Sequence, residues 1–195
     1  MPPVGSGTES LRSTVLVAST SSEEWSPIAS MAHHVLHIQH DQRVPVLVDL
    51  TSAPGRTVVF TRTKHRAKSL ARQLNQNGVP TVDLHGNLSQ GARTRNMELF
   101  HSGTATTLVA TDVAARGIHV DDVPLVIQAD HPDEYKAYLH RAGRTGRAGK
   151  EGTVVTLVPR NRRRKVEDLL DRAEIAAEWT QVVPGDALLT ELADR

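Results

Sequence analysis

The sequence has no cysteine and very few aromatic residues: its 195 residues include two each of Phe, Trp and Tyr. Without cysteine the protein cannot form disulfides, thiolate nucleophiles or zinc sites built on thiolates. So few aromatic rings argue against a nucleic-acid surface that stacks bases on side chains. No apolar run approaches the roughly 18 residues of a membrane span, and the first residues do not resemble a signal peptide. We therefore expect a cytoplasmic protein that does not enter a membrane.

A strong net charge and a phosphate-binding P-loop are also missing. The 23 basic and 22 acidic residues leave a formal charge of +1, so any affinity for nucleic acid must come from local clustering. The single Gly-Lys pair, Gly149-Lys150, has Arg144 where the first P-loop glycine belongs and Glu151 where the hydroxyl belongs. The ten histidines show no metal-ligand spacing, and we predict no metal-binding residue.

Three regions differ in composition along the chain. Residues 1–32 are rich in Ser, Thr, Gly and Pro, and we interpret them as a linker or the remnant of an upstream region. Between residues 33 and 160, short β-rich runs alternate with amphipathic segments, which predicts an α/β domain with a mostly parallel central sheet flanked by helices. Residues 161–195 are predicted to be a C-terminal helical extension. The predicted strands are His34–Gln39, Thr57–Phe60, Thr81–Leu84, Thr106–Ala110, Leu125–Gln128 and Thr153–Val158.

The helices of the central region have recognisable starts and stops. The first clear helix has apolar residues at i, i+3, i+4 and i+7, and Asn77-Gly78 supplies its stop. Ser89 is the predicted cap of the next helix, which ends at Ser102-Gly103. The apolar stripe of the first helix consists of Ala67, Leu70, Ala71 and Leu74.

The last predicted helix starts near Arg162 and carries an apolar stripe on one face. Its first turn is crowded with basic side chains, a placement that opposes the helix dipole. These residues either form a solvated helix end, which we favour, or contact an RNA backbone. The stripe consists of Val166, Leu169, Leu170 and Ala173, and the basic residues are Arg162, Arg163, Arg164 and Lys165.

One loop is rich in arginine and glycine: HRAGRTGRAG, from His140 to Gly149. An arginine side chain offers a planar fork of donors that stays charged, and glycine allows a backbone to approach an anion closely. Arg141, Arg144 and Arg147 are therefore candidates for binding phosphate. A solvated surface loop is the alternative interpretation.

Polar side chains follow three of the predicted strands, where open α/β sheets place their ligand sites. We expect these residues and the arginines near position 145 to face the same edge of the sheet. Each segment also has a plain structural explanation, as a loop, a solvent-facing helix side or a helix cap. The residues are Arg62, Gly86, Thr111 and Arg116, with Gln90 and Arg93 at the start of the helix after Gly86.

Taken together, these segments resemble the DEAD-box ATP-dependent RNA helicases in their second, C-terminal RecA-like domain. VVFTRTK is similar to the fourth motif of that family, LHGNLSQGAR to the HG and QxxR pair, LVATDVAARGI to the fifth motif and HRAGRTGR to the sixth. The resemblance covers about residues 33 to 158 and implies a three-layer RecA-like fold. The segments TRTKH and RGIHVDDV are similar in sequence to the bacterial RhlE-type subgroup.

The resemblance implies a shared ATP site. Arg144 and Arg147 would be arginine fingers that reach the γ-phosphate of ATP held by an N-terminal RecA-like domain, in the same chain or a separate one. Gly117 and His119 would lie on the nucleotide side of the fifth motif. The family usually has Asp at the position of His119, and that Asp helps to hold the ribose. A neutral imidazole at this position offers one hydrogen bond but no permanent carboxylate, so either a neighbouring residue substitutes or the nucleotide is held more weakly. Mg²⁺ would be bound only through the other domain.

The resemblance also implies an RNA surface and a contact between domains. Arg62, Gly86, Arg93 and Thr111 would hold successive phosphates of one RNA strand without reading its sequence, and Gln90 and Arg116 would support that surface. His140 and Arg141 would couple the two domains.

Our leading hypothesis is that the chain is the C-terminal half of an RNA helicase and does not hydrolyse ATP unaided, because it lacks the P-loop and the DEAD motif. Two alternatives to this hypothesis stay open. In the first, the chain is a non-enzymatic RNA-binding or regulatory module. In the second, it is an interaction protein that docks onto an ATP-binding domain.

Overall fold

The structure, a computed structural model, describes residues 31–116, 120, 122–146 and 151–194. Its strands are β1 (Ala32–Ile38), β2 (Thr57–Thr61), β3 (Thr81–Leu84), β4 (Thr107–Thr111), β5 (Leu125–Gln128), β6 (Thr153–Pro159) and β7 (Glu178–Gln181). Its helices are α1 (Arg43–Thr51), α2 (Lys64–Gln76), α3 (Gln90–His101), α4 (Asp112–Ala115), α5 (Tyr135–Ala142), α6 (Arg163–Arg172) and α7 (Ala187–Ala193). Two short 3-10 turns precede α1 and α6, at His40–Gln42 and Arg160–Arg162.

The strands form one seven-stranded sheet in the order β3-β4-β2-β5-β6-β1-β7, and every pairing between neighbours is parallel. This confirms the predicted α/β class and the predicted parallel sheet. The six predicted strands are present, each with ends within two residues of the prediction. The seventh strand, β7, was not predicted.

Helices cover both faces of the sheet, because the side chains of each strand alternate between two hydrophobic clusters. In β2, Val59 packs with residues of α1, α2 and α7, whereas Val58 and Phe60 pack with residues of α3 and α4 on the opposite face. Residues of α5 and α6 form a third cluster around Val35 and Val154. Each buried side chain of Leu or Val size contributes about 1.5–3 kcal/mol. The result is a three-layer domain with its sheet buried on both sides.

Local sequence signals account for the ends of α2 and α3. The Thr63 side chain accepts a hydrogen bond from the Arg66 backbone N–H at the start of α2, and Gly78 follows the helix with a φ of +82°. In α3 the Ser89 hydroxyl accepts from the Ala92 N–H, as predicted, and Gly103 takes a φ of +79° beyond the helix. The predicted apolar stripe of α2 is buried.

The C-terminal segment belongs to the same core. Strand β7 pairs with β1, with Trp179 beside Val35. Leu189 of α7 is fully buried and Leu192 nearly so, in the cluster that also holds α1 and α2. The boundary at residue 160 stays a prediction, but α6, β7 and α7 extend the sheet and its cover. In the described ranges, no helix is long and apolar enough to cross a membrane.

Candidate functional site

The carboxyl ends of three neighbouring strands bring three predicted site residues to one edge of the sheet. Thr111 is the last residue of β4 and lies beside Thr61, the last residue of β2, which Arg62 follows. Leu84 ends β3 beside Ala110, and Gly86 comes two residues later. Because the sheet is parallel, Arg62, Gly86 and Thr111 share this edge. Their role in binding RNA stays a prediction.

The turn that carries Gly86 is fixed by hydrogen bonds of the neighbouring His85. The His85 Nε2 atom lies 2.9 Å from the Asp83 carboxylate, and its Nδ1 accepts from the Asn87 backbone N–H at 3.3 Å. Gln90 starts α3 immediately after this turn and is exposed, and Arg93 lies half-buried one turn further. The predicted pair therefore opens a helix that starts at the same edge.

Arg62 is anchored by acidic and carbonyl groups that follow β5. Its backbone N–H donates to the Asp130 carboxylate at 2.9 Å, and its Nη2 donates to the His131 carbonyl at 3.2 Å. The same Nη2 lies 3.1 Å from the exposed carboxylate of Asp133. The Arg62 side chain is 44% exposed, so its guanidinium is oriented and still open to solvent.

Asp112 and Arg141 form a bidentate ion pair inside the domain. The Arg141 Nε donates to Asp112 Oδ1 at 2.6 Å, and its Nη2 donates to Oδ2 at 2.7 Å. Its Nη1 donates to the Gln128 side chain and to the Asp130 carbonyl, and its guanidinium lies over the Phe60 ring at 5.3 Å. Only 2% of Arg141 is exposed. The pair joins the start of α4, directly after β4, to α5.

This pair bears on two interpretations made from the sequence. Thr111 is the N-cap residue of α4, as the helix-cap alternative allowed, but its side chain makes no capping hydrogen bond, and Asp112 binds Arg141. Arg141 was predicted to bind phosphate and to couple two domains. Both roles stay predictions; because the Arg141 guanidinium is buried and held by Asp112, we expect any coupling by Arg141 to act through the position of Asp112 and α5.

Arg144 lies in a cleft of about 280 Å³ between α4 and α5. Its side chain is half-buried and its Nη2 donates to the Ala115 carbonyl at 3.5 Å. The exposed side chains of Arg116 and His140 line the same cleft. The floor is Phe60 with the Asp112–Arg141 pair, whose charges cancel. The exposed guanidinium of Arg116 and the half-buried guanidinium of Arg144 lie over this neutral floor, which makes the cleft a favourable place for an anion.

The backbone of the arginine loop lies at the opposite edge of the sheet from Arg62, Gly86 and Thr111. The Arg144 carbonyl accepts from the Val123 N–H at 3.2 Å, two residues before β5 begins, so the loop backbone lies at the amino end of that strand. The expectation of a common edge concerned the arginine side chains and stays a prediction. The Arg144 side chain contacts the carbonyl of Ala115, which follows the carboxyl end of β4.

The glycines around this loop allow two backbone segments to approach each other. Gly146 has a φ of +70°, and a Cβ atom on it would lie 2.8 Å from the Met31 side chain. A Cβ atom on Gly152 would lie 2.5 Å from the Gly146 nitrogen. For these two glycines, close packing against protein atoms explains the residue type, rather than close approach to an anion.

Three predicted residues, Gly117, His119 and Arg147, lie outside the described residues. Within the part of the chain that the structure describes, no three His, Asp or Glu side chains are grouped so that they could hold a metal ion.

Asp130 is a functional candidate that sequence reasoning missed. It is 8% exposed and accepts from the Arg62 backbone, from Arg66 and from Arg43, whose Nη2 lies at 3.1 Å. The available signal was an acidic residue immediately after β5, at the edge where the other polar residues gather. Without the fold, its three partners could not be assigned.

Comparisons with known proteins identify the family to which this fold belongs. The family model of the helicase conserved C-terminal domain matches residues 40–149. The E. coli DEAD-box protein SrmB, solved bound to regulator of ribonuclease activity A, superposes with a TM-score of 0.68 at 34% identity, covering 78% of this chain and 90% of that one. The chain belongs to the DEAD-box helicases, as their C-terminal domain.

Other relatives show how much of a helicase this DEAD-box C-terminal domain represents. The ATP-dependent rRNA helicase RRP3 of Gibberella zeae is 41% identical over 151 residues, which are 76% of this chain and 31% of RRP3. The C-terminal domain of the DEAD-box protein Dbp5 superposes with a TM-score of 0.73 at 26% identity, covering 85% of this chain and 98% of that structure. S. cerevisiae Dbp5 bound to RNA and ADP BeF3 gives a TM-score of 0.72, covering 46% of that chain. This domain thus spans about a third of RRP3 and about half of Dbp5.

Proposed function

We propose that this chain supplies the C-terminal half of an ATP-dependent RNA helicase: arginine fingers for ATP hydrolysis and half of an RNA-binding surface. The observation that carries the proposal is the cleft in which Arg144 and Arg116 lie over the neutral Asp112–Arg141 pair. The proposal includes that the chain does not hydrolyse ATP alone, because its sequence has neither a P-loop nor a DEAD motif.

The described residues of the cleft fit the triphosphate end of ATP. Arg144 would donate hydrogen bonds to the γ-phosphate and stabilise the charge that develops as it is transferred, and we assign the same role to Arg147. Arg116 adds positive charge to the same cleft. We place Gly117 and His119 on the ribose side. An ATP-bound Mg²⁺ ion would take its protein ligands from the N-terminal RecA-like domain, since among the described residues that line the cleft the one acidic side chain is Asp112, which Arg141 already neutralises.

At the sheet edge, we propose that Arg62, Gly86, Arg93 and Thr111 hold the phosphates of a single RNA strand, supported by Gln90 and Arg116. The Dbp5 complex with RNA supports this assignment by likeness of fold. Contacts to phosphates do not depend on the identity of the bases, so the binding is expected to be independent of the RNA sequence and to weaken as the salt concentration rises.

Finer assignments are part of the proposal. We propose the RhlE-like bacterial subgroup, which the sequences of the segments TRTKH and RGIHVDDV favour. RRP3, one of the relatives, is a fungal protein. We also propose a cytoplasmic location and an N-terminal RecA-like partner domain, in the same chain or in another.

The experiment is reconstitution of ATP turnover from two parts. The first RecA-like domain of a DEAD-box helicase is expressed separately, and phosphate release is measured with and without this chain, in the presence and absence of single-stranded RNA. We expect no turnover from this chain alone and RNA-stimulated turnover from the mixture. Arg164→Ala, which changes an exposed arginine outside the cleft, is the matched control and should keep the gain.

The alternative is a non-enzymatic RNA-binding or regulatory module. It predicts RNA binding that weakens steeply with salt and no turnover in any mixture, including mixtures in which the two parts are shown to associate. That combination of results would contradict the helicase proposal and support the alternative.

A further inference from the structure

A second basic pocket, which we call the Asp130 pocket, lies at the carboxyl ends of β1, β2, β5 and β6. Its volume is about 160 Å³. Its walls come from four separate stretches of chain: the turn before α1, the start of α2, the segment after β5 and the turn before α6. The polar residues that line it are His40, Arg43, Arg62, Arg66, Asp130, His131 and Arg162.

The charges of the Asp130 pocket do not balance. Four arginines and one aspartate line it, which leaves three positive charges when both histidines are neutral. The one carboxylate, Asp130, is already shared between Arg43 and Arg66. Asp133 stands nearby, but it is exposed and pairs with Arg62 and Lys165. A concave site that holds several guanidinium groups against a single buried carboxylate lacks counter-charge.

Arg43 shows the imbalance most clearly. Its side chain is 18% exposed, and among the described residues its buried Nε has no hydrogen-bond acceptor. Burial lowers the pKa of the Arg43 guanidinium, and Asp130 opposes this only in part. A buried donor without an acceptor is costly, and a bound anion would supply both the acceptor and the charge.

We propose that the Asp130 pocket binds a phosphate group, and that Arg43, Arg66 and Arg162 donate to its oxygens. Arginine forks match the geometry of phosphate oxygens, and the volume suits one phosphate or pyrophosphate group rather than a nucleoside. The phosphate comes either from RNA that continues past Arg62 or from a small phosphorylated molecule. The pocket is separate from the Arg144 cleft, with which it shares no lining residue.

The experiment is a titration of the ¹⁵N-labelled chain with sodium pyrophosphate at constant ionic strength, followed by NMR. We expect saturable shifts of the Arg62 and His131 amides and of the Arg43 Nε–H signal. Replacing Arg162 by Gln should weaken pyrophosphate binding about tenfold, because one charge-assisted hydrogen bond is lost. Arg162 is exposed, and although it is the N-cap residue of α6 its side chain makes no capping hydrogen bond, so the variant should fold. Arg66→Gln serves as an independent second variant.

The matched control is Arg164→Gln, which removes another exposed charge two residues away and outside the pocket. Its pyrophosphate affinity should stay within about twofold of the original. Equal weakening by the control and by Arg162→Gln would mean diffuse attraction to a basic surface, and so would shifts spread over that surface. Either result would overturn the proposal, whether or not the chain supports ATP turnover.

A competition arm identifies the source of the phosphate. A single-stranded RNA decamer is added to the pyrophosphate complex. Displacement of pyrophosphate, together with weaker RNA binding by Arg162→Gln, assigns the pocket to RNA. Simultaneous binding of both ligands assigns it to a small phosphorylated molecule.

Discussion

Replacing Asp112 by asparagine would leave the Arg141 guanidinium buried without its carboxylate. Breaking a fully buried ion pair by removing one partner costs about 3–5 kcal/mol. Here the Asp112 side chain is 35% exposed, asparagine keeps one acceptor, and Arg141 retains its bonds to Gln128 and to the Asp130 carbonyl. We therefore expect a loss of about 2–3 kcal/mol in the free energy of unfolding. Urea unfolding followed by far-UV circular dichroism measures it.

The control is an exposed ion pair with a similar distance between the arginine Nε and a carboxylate oxygen. Arg163 Nε lies 2.7 Å from Glu167 Oε1, but these side chains are 57% and 44% exposed. Glu167→Gln should change the free energy of unfolding by no more than about 0.5 kcal/mol. If the loss from Asp112→Asn is also below about 1 kcal/mol, burial does not set the strength of the Asp112–Arg141 pair, and our reasoning about the cleft floor is wrong.

Three further predictions concern the rest of the domain. Leu189→Ala should cost about 2–5 kcal/mol in urea unfolding, and a loss below 1 kcal/mol would show that α7 is not part of the core. Gly152→Ala should lower the free energy of unfolding by about 1–3 kcal/mol, because the new Cβ atom would meet the backbone of Gly146. Gly91→Ala, with open space around the new Cβ atom, should not destabilise the domain. Equal effects of the two variants would contradict the close approach of the Gly146 and Gly152 backbones. Burial and Arg163 lower the pKa of His37, so the unfolded chain binds its proton more readily, and stability should fall as pH drops below about 6.5. In His37→Phe this loss should be smaller, and an unchanged pH dependence would refute the assignment.

The parts of the fold that could be predicted were those with strong local signals. Strands such as β2 and β6 are buried on both faces and therefore appear as continuous apolar runs. The α2 helix combines a 3.6-residue stripe, a Thr cap and a glycine stop. By contrast, β7 has only four residues and a single neighbour, and its side chains are exposed or half-buried, so nothing in its composition distinguishes it from a loop.

The candidate site was predictable as a set of positions but not as a network. Strand order placed Arg62, Gly86 and Thr111 together because parallel strands end at one edge. Sequence could not show that Asp112 binds Arg141, since a helix cap and an ion pair are equally compatible with Thr-Asp after a strand. Nor could it show Asp130 between three arginine residues, because those partners come from segments far apart along the chain.

The most direct test of the arginine-finger assignment is the rate of ATP turnover when Arg144→Ala replaces the original chain in the mixture with a first RecA-like domain, at saturating RNA. We expect a fall of about 10³-fold or more, with the RNA affinity of the chain unchanged. Arg147→Ala should act in the same way. Turnover within about twofold of the original for both variants would contradict the arginine-finger assignment, because guanidinium groups that contact the γ-phosphate cannot be removed without loss of rate.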